Sequence, residues 1–343
     1  APWAGLTRDH VMLLRVVVAV AHVLAALSLY PLVRRHAPQP WSGVVAVAAY
    51  LLAPLPFILI GNANQTYAFG QSIATIAVAS AMTWPLGWRR PLAAVALTGL
   101  VALGLLSHVG LIALLGGLIG ASALLVAWRG EGEDRRAGRV VLVATLAAVL
   151  LAVGLYYRHF GDAFRSAQRV GDGGAAAAAP TTPGPSVPSV AREVAPSEAT
   201  PAPSAEGPGA PVGTSRVQRA WRAARLAVAA YGTPILLLAL VGLARLPVRT
   251  ARDSATLLTM ASLAVCAAVA AVSVLAPVEP RFERYTDEFI SRLYYAVTPA
   301  VALLAAGGVS WLWTRGPVGR SSAIAGLSSA VIVGARTWLG WIG

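Results

Sequence analysis

Apolar residues run along this chain in long blocks separated by short polar connections, and about ten blocks read as helices that cross a bilayer. They cover residues 11–33, 43–60, 68–88, 91–106, 109–128, 140–157, 232–248, 254–275, 293–313 and 321–342. The block at 232–248 is short and is bounded by Pro234 and Pro247. The pattern predicts an all-α fold, a polytopic transmembrane helical bundle of about ten spans.

Residues 171–214 break the pattern. Poly-Ala, Pro, Ser and Gly dominate there, and almost no large apolar side chain offsets the entropy of ordering. The sequence therefore divides into a first membrane bundle of about six spans (1–160), a disordered loop (161–215), and an interfacial helix with a second bundle of about four spans (216–343). The interfacial helix is read from Arg216, Arg219, Arg222 and Arg225, which recur every third residue with Trp221 among them. On a helix they form a basic stripe beside an apolar one. A cytoplasmic anchor is the alternative.

Composition agrees with the membrane reading: 57% of residues are hydrophobic and 12% charged. Every basic residue is Arg, with no Lys, which suits a GC-rich bacterial genome. The net charge of +13 is spread over many connections rather than gathered on one face, which excludes a nucleic-acid partner. The one cysteine, Cys266, lies in an apolar block, so neither a disulfide within the chain nor a cysteine metal site can form. Arginines follow the first, third, fifth, seventh and ninth blocks, at 34–35, 89–90, 129–139, 245–252 and 315–320. By the positive-inside rule these connections face the cytoplasm. The others face outward: the N-terminus, 61–67, 107–108, 158–225 and 279–292. The chain starts Ala-Pro-Trp without Met, and we read it as lacking an N-terminal part.

The polar residues that are not plain anchors collect on the outward connections. The densest stretch, 279–292, holds Glu279, Glu283, Asp287 and Glu288 with Arg281, Arg284 and Arg292. It fits a site at the membrane surface, and equally a solvated connection between spans. Asn62, Asn64, Gln65 and Tyr67 offer hydrogen-bonding groups to a sugar or phosphate, or simply cap exposed helix ends. His108 could meet a phosphate or relay a proton, or sit at a helix end as an interfacial residue. His22 is expected to hydrogen-bond between helices. Tyr156, Tyr157, Tyr294, Tyr295, Trp311, Trp313, Trp338 and Trp341 read as the aromatic belt. No phosphate loop, zincin helix or Gly-x-Ser-x-Gly elbow occurs.

Leu29-Tyr-Pro-Leu-Val-Arg-Arg35, the run from Ala46 to Pro56, Leu105-Leu-Ser-His-Val109 and Ser291-Arg-Leu-Tyr-Tyr-Ala-Val-Thr-Pro-Ala300 follow one another in an order that resembles the polytopic GT-C glycosyltransferases. That class contains protein mannosyltransferases and lipid A aminoarabinose transferases. The resemblance implies a polyprenyl-phosphate sugar donor, an extracytoplasmic site in the bacterial inner membrane, and an acidic residue in an early outer loop acting as base or metal ligand. Asp9 is the only acid before the first block, and no ligand set for a divalent metal is recognisable. Arg292 and His108 match by position as phosphate contacts. The site expected on this basis has Asp9, Asp287 or Glu288 as the catalytic acid. Arg292, Arg284, Arg281, His108, Asn62, Gln65 and Tyr67 would bind substrate. A transporter or flippase of a lipid-linked substrate and a non-catalytic scaffold are the rival readings.

Overall fold

The computed structural model describes residues 9–36, 39–56, 65–84, 90–107, 112–156, 158, 215–248, 250–275 and 283–342. At 10, 36, 112, 113, 272, 273, 283–288, 341 and 342 only the backbone is described. Among the described residues every regular element is a helix. The elements are α1 (His10–His36), α2 (Ser42–Leu52), α3 (Gln65–Thr83), α4 (Pro91–Leu106), a π-turn (Ile112–Gly116) leading into α5 (Gly117–Arg129), α6 (Gly132–Leu155), α7 (Arg216–Tyr231), α8 (Thr233–Ala244), α9 (Ser254–Leu275), α10 (Glu283–Trp313) and α11 (Gly316–Ile342).

Local chemistry sets most starts. Asp9 caps α1, its Oδ1 accepting the Met12 amide at 2.9 Å. Pro91 occupies the first turn of α4, where its missing N–H costs nothing. Glu133 and Asp134 lie in the first turn of α6, where the helix dipole favours them. Ser215 and Gln218 form a capping box on α7. Asp253 caps α9 through the Thr256 amide at 2.8 Å.

Five described helices are long and apolar enough to cross a membrane, or six if the bent pair α7–α8 is one span. The expectation of about ten spans therefore stands confirmed only as a multi-pass helical protein. Each predicted block does hold a helix, but some are short. α2 has 11 residues, about 16 Å at 1.5 Å per residue, roughly half a hydrocarbon core. It ends because Pro54 and Pro56 follow, and Ala53, preceding a proline, is extended. α8 has 12 residues and meets α7 at 104°. Gly232 makes that elbow with φ +75°, a backbone that suits glycine.

Small side chains fill much of the interior, beside large buried ones such as Tyr50, Leu97, Leu105 and Tyr295. Ala25, Ala26, Ala46, Ala77, Ala123, Ala148 and Ala305 are all fully buried. Large apolar residues such as Leu92, Val95, Val143 and Leu150 point outward instead. That inversion suits lipid around the bundle, where close packing rather than water exclusion holds helices together. α8 and α10 pack backbone to backbone at Gly242 and Gly308: a Cβ built on Gly242 would run into the Leu304 carbonyl, and one on Gly308 into the Leu238 carbonyl.

Helices from both sides of 159–214 pack on each other, α9 against α5 and α10 against α2. Polar contacts sort the helix ends. At one end Arg35 of α1 donates to Met82 O at the close of α3 (2.7 Å) and meets Asp134 of α6 at 3.2 Å. Asp134 Oδ2 accepts the Ser254 amide of α9, and Glu131 pairs with Arg252. Arg245 and Arg315 both lie over Trp311, and Arg320 over Trp313. Arginines expected to share a face are thus gathered at one end. The opposite end holds the starts of α3 and α10, the end of α9 and the helix α7.

Candidate functional site

Two stretches read as connections are helical. Gln65, Thr66 and Tyr67 form the first turn of α3, and Gln65 and Tyr67 are buried rather than solvated. α10 begins at Glu283, so positions 283–292 are helix, and Arg292 stands in its third turn. Glu and Arg there are good helix formers, and hydropathy does not register them.

These two turns meet. Tyr67 donates its hydroxyl to the Arg292 carbonyl at 2.6 Å, and the Arg292 guanidinium lies 5.9 Å from the centre of the Tyr67 ring. That distance is at the outer limit of a cation–π contact. A turn further along, Gln71 Nε2 donates to Ala296 O at 3.0 Å. Tyr231 donates to the Tyr294 carbonyl. Tyr294 in turn donates to Ala223 O of α7 at 2.9 Å. Three alternate carbonyls of α10, those of Arg292, Tyr294 and Ala296, thus accept a side chain from a neighbouring helix, just before Pro299. Pro299 supplies no N–H to the carbonyl of residue 295 and loosens that turn.

Tyr294 and Tyr295 are therefore not belt residues. Both are buried, Tyr295 completely. The Tyr295 hydroxyl lies 3.4 Å from His22 Nδ1 and 3.4 Å from Ala68 O. The His22 ring stacks on Tyr50, with centroids 4.7 Å apart, and Tyr67 and Tyr295 are 5.9 Å apart. His22 does bond between helices, as expected. Tyr50, Gln71 and Tyr295 are the members that sequence reasoning missed. Each is a polar group within an apolar block, and that is the signal that could have found them, since a polar side chain at bilayer depth requires a partner.

Beneath this cluster lies a cavity of about 70 Å³, lined by Gln71, Thr75, Ser122, Thr259 and Ser262 among apolar residues. It is far below the roughly 300 Å³ of ordinary small-molecule sites.

Of the residues proposed from sequence, the structure brings together Arg292, Tyr67 and, in the same turn of α3, Gln65. Asp9 caps α1. Positions 284, 287 and 288 lie in the first turns of α10, with Glu288 one turn before Arg292 on the same helix face. Asn62, His108 and Arg281 lie outside the described residues, as does the segment 159–214. Among the described residues no group of three or more His, Cys, Asp or Glu side chains gathers as a metal site would require.

The fold defines a multi-pass α-helical membrane protein. Comparisons with protein-family models, with curated proteins and with solved structures find no match.

Proposed function

We propose that this protein is a GT-C-like transferase that moves a sugar from a polyprenyl-phosphate donor to an extracytoplasmic acceptor, in the cytoplasmic membrane of a bacterium. The observation that carries the reading is Arg292, held against Tyr67 at the end of the bundle opposite the Arg35, Arg245 and Arg252 belt. A guanidinium fork there meets a lipid phosphate at two oxygens. Position 288 lies one helical turn before Arg292 in α10, and Glu288 or Asp287 is the proposed base. Such a carboxylate takes the acceptor hydroxyl's proton as that oxygen forms its bond to the sugar's anomeric carbon. The bond from that carbon to the phosphate oxygen breaks, and the polyprenyl phosphate leaves with the electron pair. Asp9 is the weaker candidate for this task, because its carboxylate already accepts an amide.

The test uses the purified full chain in liposomes with a radiolabelled polyprenyl-phosphate sugar and a bacterial membrane extract as the source of acceptor. Release of free polyprenyl phosphate is expected. Arg292→Ala should lower it at least about tenfold, since a lost charge-assisted contact costs roughly 1.5–3 kcal/mol. Movement of intact donor across the bilayer without release would instead establish the carrier reading. Neither release nor movement would leave a scaffold.

A further inference from the structure

α7 carries two seams, and among the described residues only one is packed against the bundle. Arg219, Ala223, Leu226 and Ala230 recur at i, i+4, i+7 and i+11 and face the bundle. Ala223 and Ala230 are buried, Arg219 Nε donates to Val274 O of α9 at 2.9 Å, and Ala223 O accepts from Tyr294 of α10. Val217, Trp221, Ala224 and Val228 repeat the same spacing about 160° around the helix. This second seam is apolar and exposed among the described residues: Val217 is 77% exposed, Trp221 65% and Val228 47%. Between the seams, on the flank turned away from the bundle, stand Gln218, Arg222 and Arg225. With Arg219 and Trp221 they outline a concavity of about 360 Å³.

We infer that α7 is a binding site for an anionic phospholipid, with the Val217–Trp221–Val228 seam in the acyl boundary and Arg222 and Arg225 on the headgroup phosphodiester. An apolar strip flanked by a basic strip matches one surface, the boundary between acyl chains and negatively charged headgroups. The 104° elbow at Gly232 sets α7 across the axis of α8, which is the attitude such a helix needs. Guanidinium forks suit a phosphate oxygen pair, and Trp221 suits the wet edge of the acyl region. Arg219 is tied to Val274 O, so its contribution is to hold α7 on the bundle. The inference stands independently of the transferase reading, because it needs only a bilayer.

The experiment reads Trp221 fluorescence as the difference between the parent and Trp221→Phe. Both are reconstituted as full chains in mixed phosphatidylcholine and phosphatidylglycerol vesicles, where one lipid at a time carries brominated acyl chains. Brominated phosphatidylglycerol is expected to quench that signal more strongly, with an association constant several-fold above that of phosphatidylcholine at low salt. Each arginine near an anionic surface contributes about fivefold. The preference should shrink at about 1 M salt, where the screening length falls to roughly 3 Å. Arg222→Gln with Arg225→Gln should bring the ratio close to one, and Arg222→Lys with Arg225→Lys should keep most of it. Circular dichroism confirms that the variants fold. Equal quenching by the two lipids in the parent overturns the assignment whatever the variants do. Loss of the preference on adding inorganic phosphate, at ionic strength matched with chloride, also overturns it by showing a site for a free anion.

Discussion

Tyr67 touches Arg292 twice: its hydroxyl donates to the Arg292 carbonyl at 2.6 Å, and its ring supports the Arg292 guanidinium. The first contact fixes the backbone of α10 relative to α3. The second directs the side chain. Tyr67→Phe separates them, because the ring stays while the hydroxyl goes. The lost hydrogen bond should cost about 1 kcal/mol of stability, read as a lower melting temperature in detergent. Binding of polyprenyl phosphate should fall only a few-fold, well short of the loss in Arg292→Ala. Binding that drops as far in Tyr67→Phe as in Arg292→Ala would mean that backbone position, not the ring, places the cation.

Arg35 and Asp134 hold the other end. The pair is 3.2 Å apart, and the same two residues also bond Met82 O and the Ser254 amide, so α1, α3, α6 and α9 meet there. Asp134→Ala leaves a partly buried guanidinium without its counter-charge and an amide without its acceptor. The expected cost is about 3 kcal/mol. Asp134→Asn keeps an acceptor for Ser254 and should recover part of it. A double-mutant cycle with Arg35→Ala checks the coupling, since an additive pair would show that the contact contributes nothing of its own.

α8 and α10 depend on two glycines. At Gly242 and Gly308 any side chain would press into the facing backbone, at the Leu304 carbonyl and the Leu238 carbonyl respectively. Gly308→Leu should therefore push the helices apart and strongly destabilise the bundle, because no rotamer relieves a clash at Cβ. Gly307→Leu is the control, as a Cβ there meets nothing within 4 Å. Protease resistance in detergent should collapse in the first and persist in the second.

The helices were legible because apolar runs are a local signal, whereas the caps Asp9 and Asp253, Pro91 at a helix start and the Ser215–Gln218 box, though equally local, emerged only with the structure. The lengths were less so. Hydropathy carried the second block through Pro54 and Pro56, which end α2, and it stopped short of the charged turns that α10 includes. The site was only half legible. Arg292 stood out by its charge, but its contact with Tyr67 spans 225 residues of sequence, and no local pattern announces that. Tyr295 shows the same limit. An apolar block says that a tyrosine lies in a helix, and only packing says which face it occupies.

Sidedness decides whether the arginine belt and the Arg292 site belong to opposite faces of a membrane. The contacts already separate them: Arg35, Arg245 and Arg252 at one end, Tyr67, Arg292 and α7 at the other. The positive-inside rule assigns the belt to the cytoplasm, because short connections rich in arginine resist translocation. Single cysteines report this directly once Cys266 is replaced by Ala. Arg136 is well exposed beside Glu133 at the belt end, and Gln218 is exposed on α7. In intact spheroplasts an impermeant maleimide should label Gln218→Cys and not Arg136→Cys, and after lysis both should react. Labelling of Arg136→Cys from outside would turn the molecule over. Arg292 and Tyr67 would then face the cytoplasm, and a donor that meets its acceptor outside could not be their substrate.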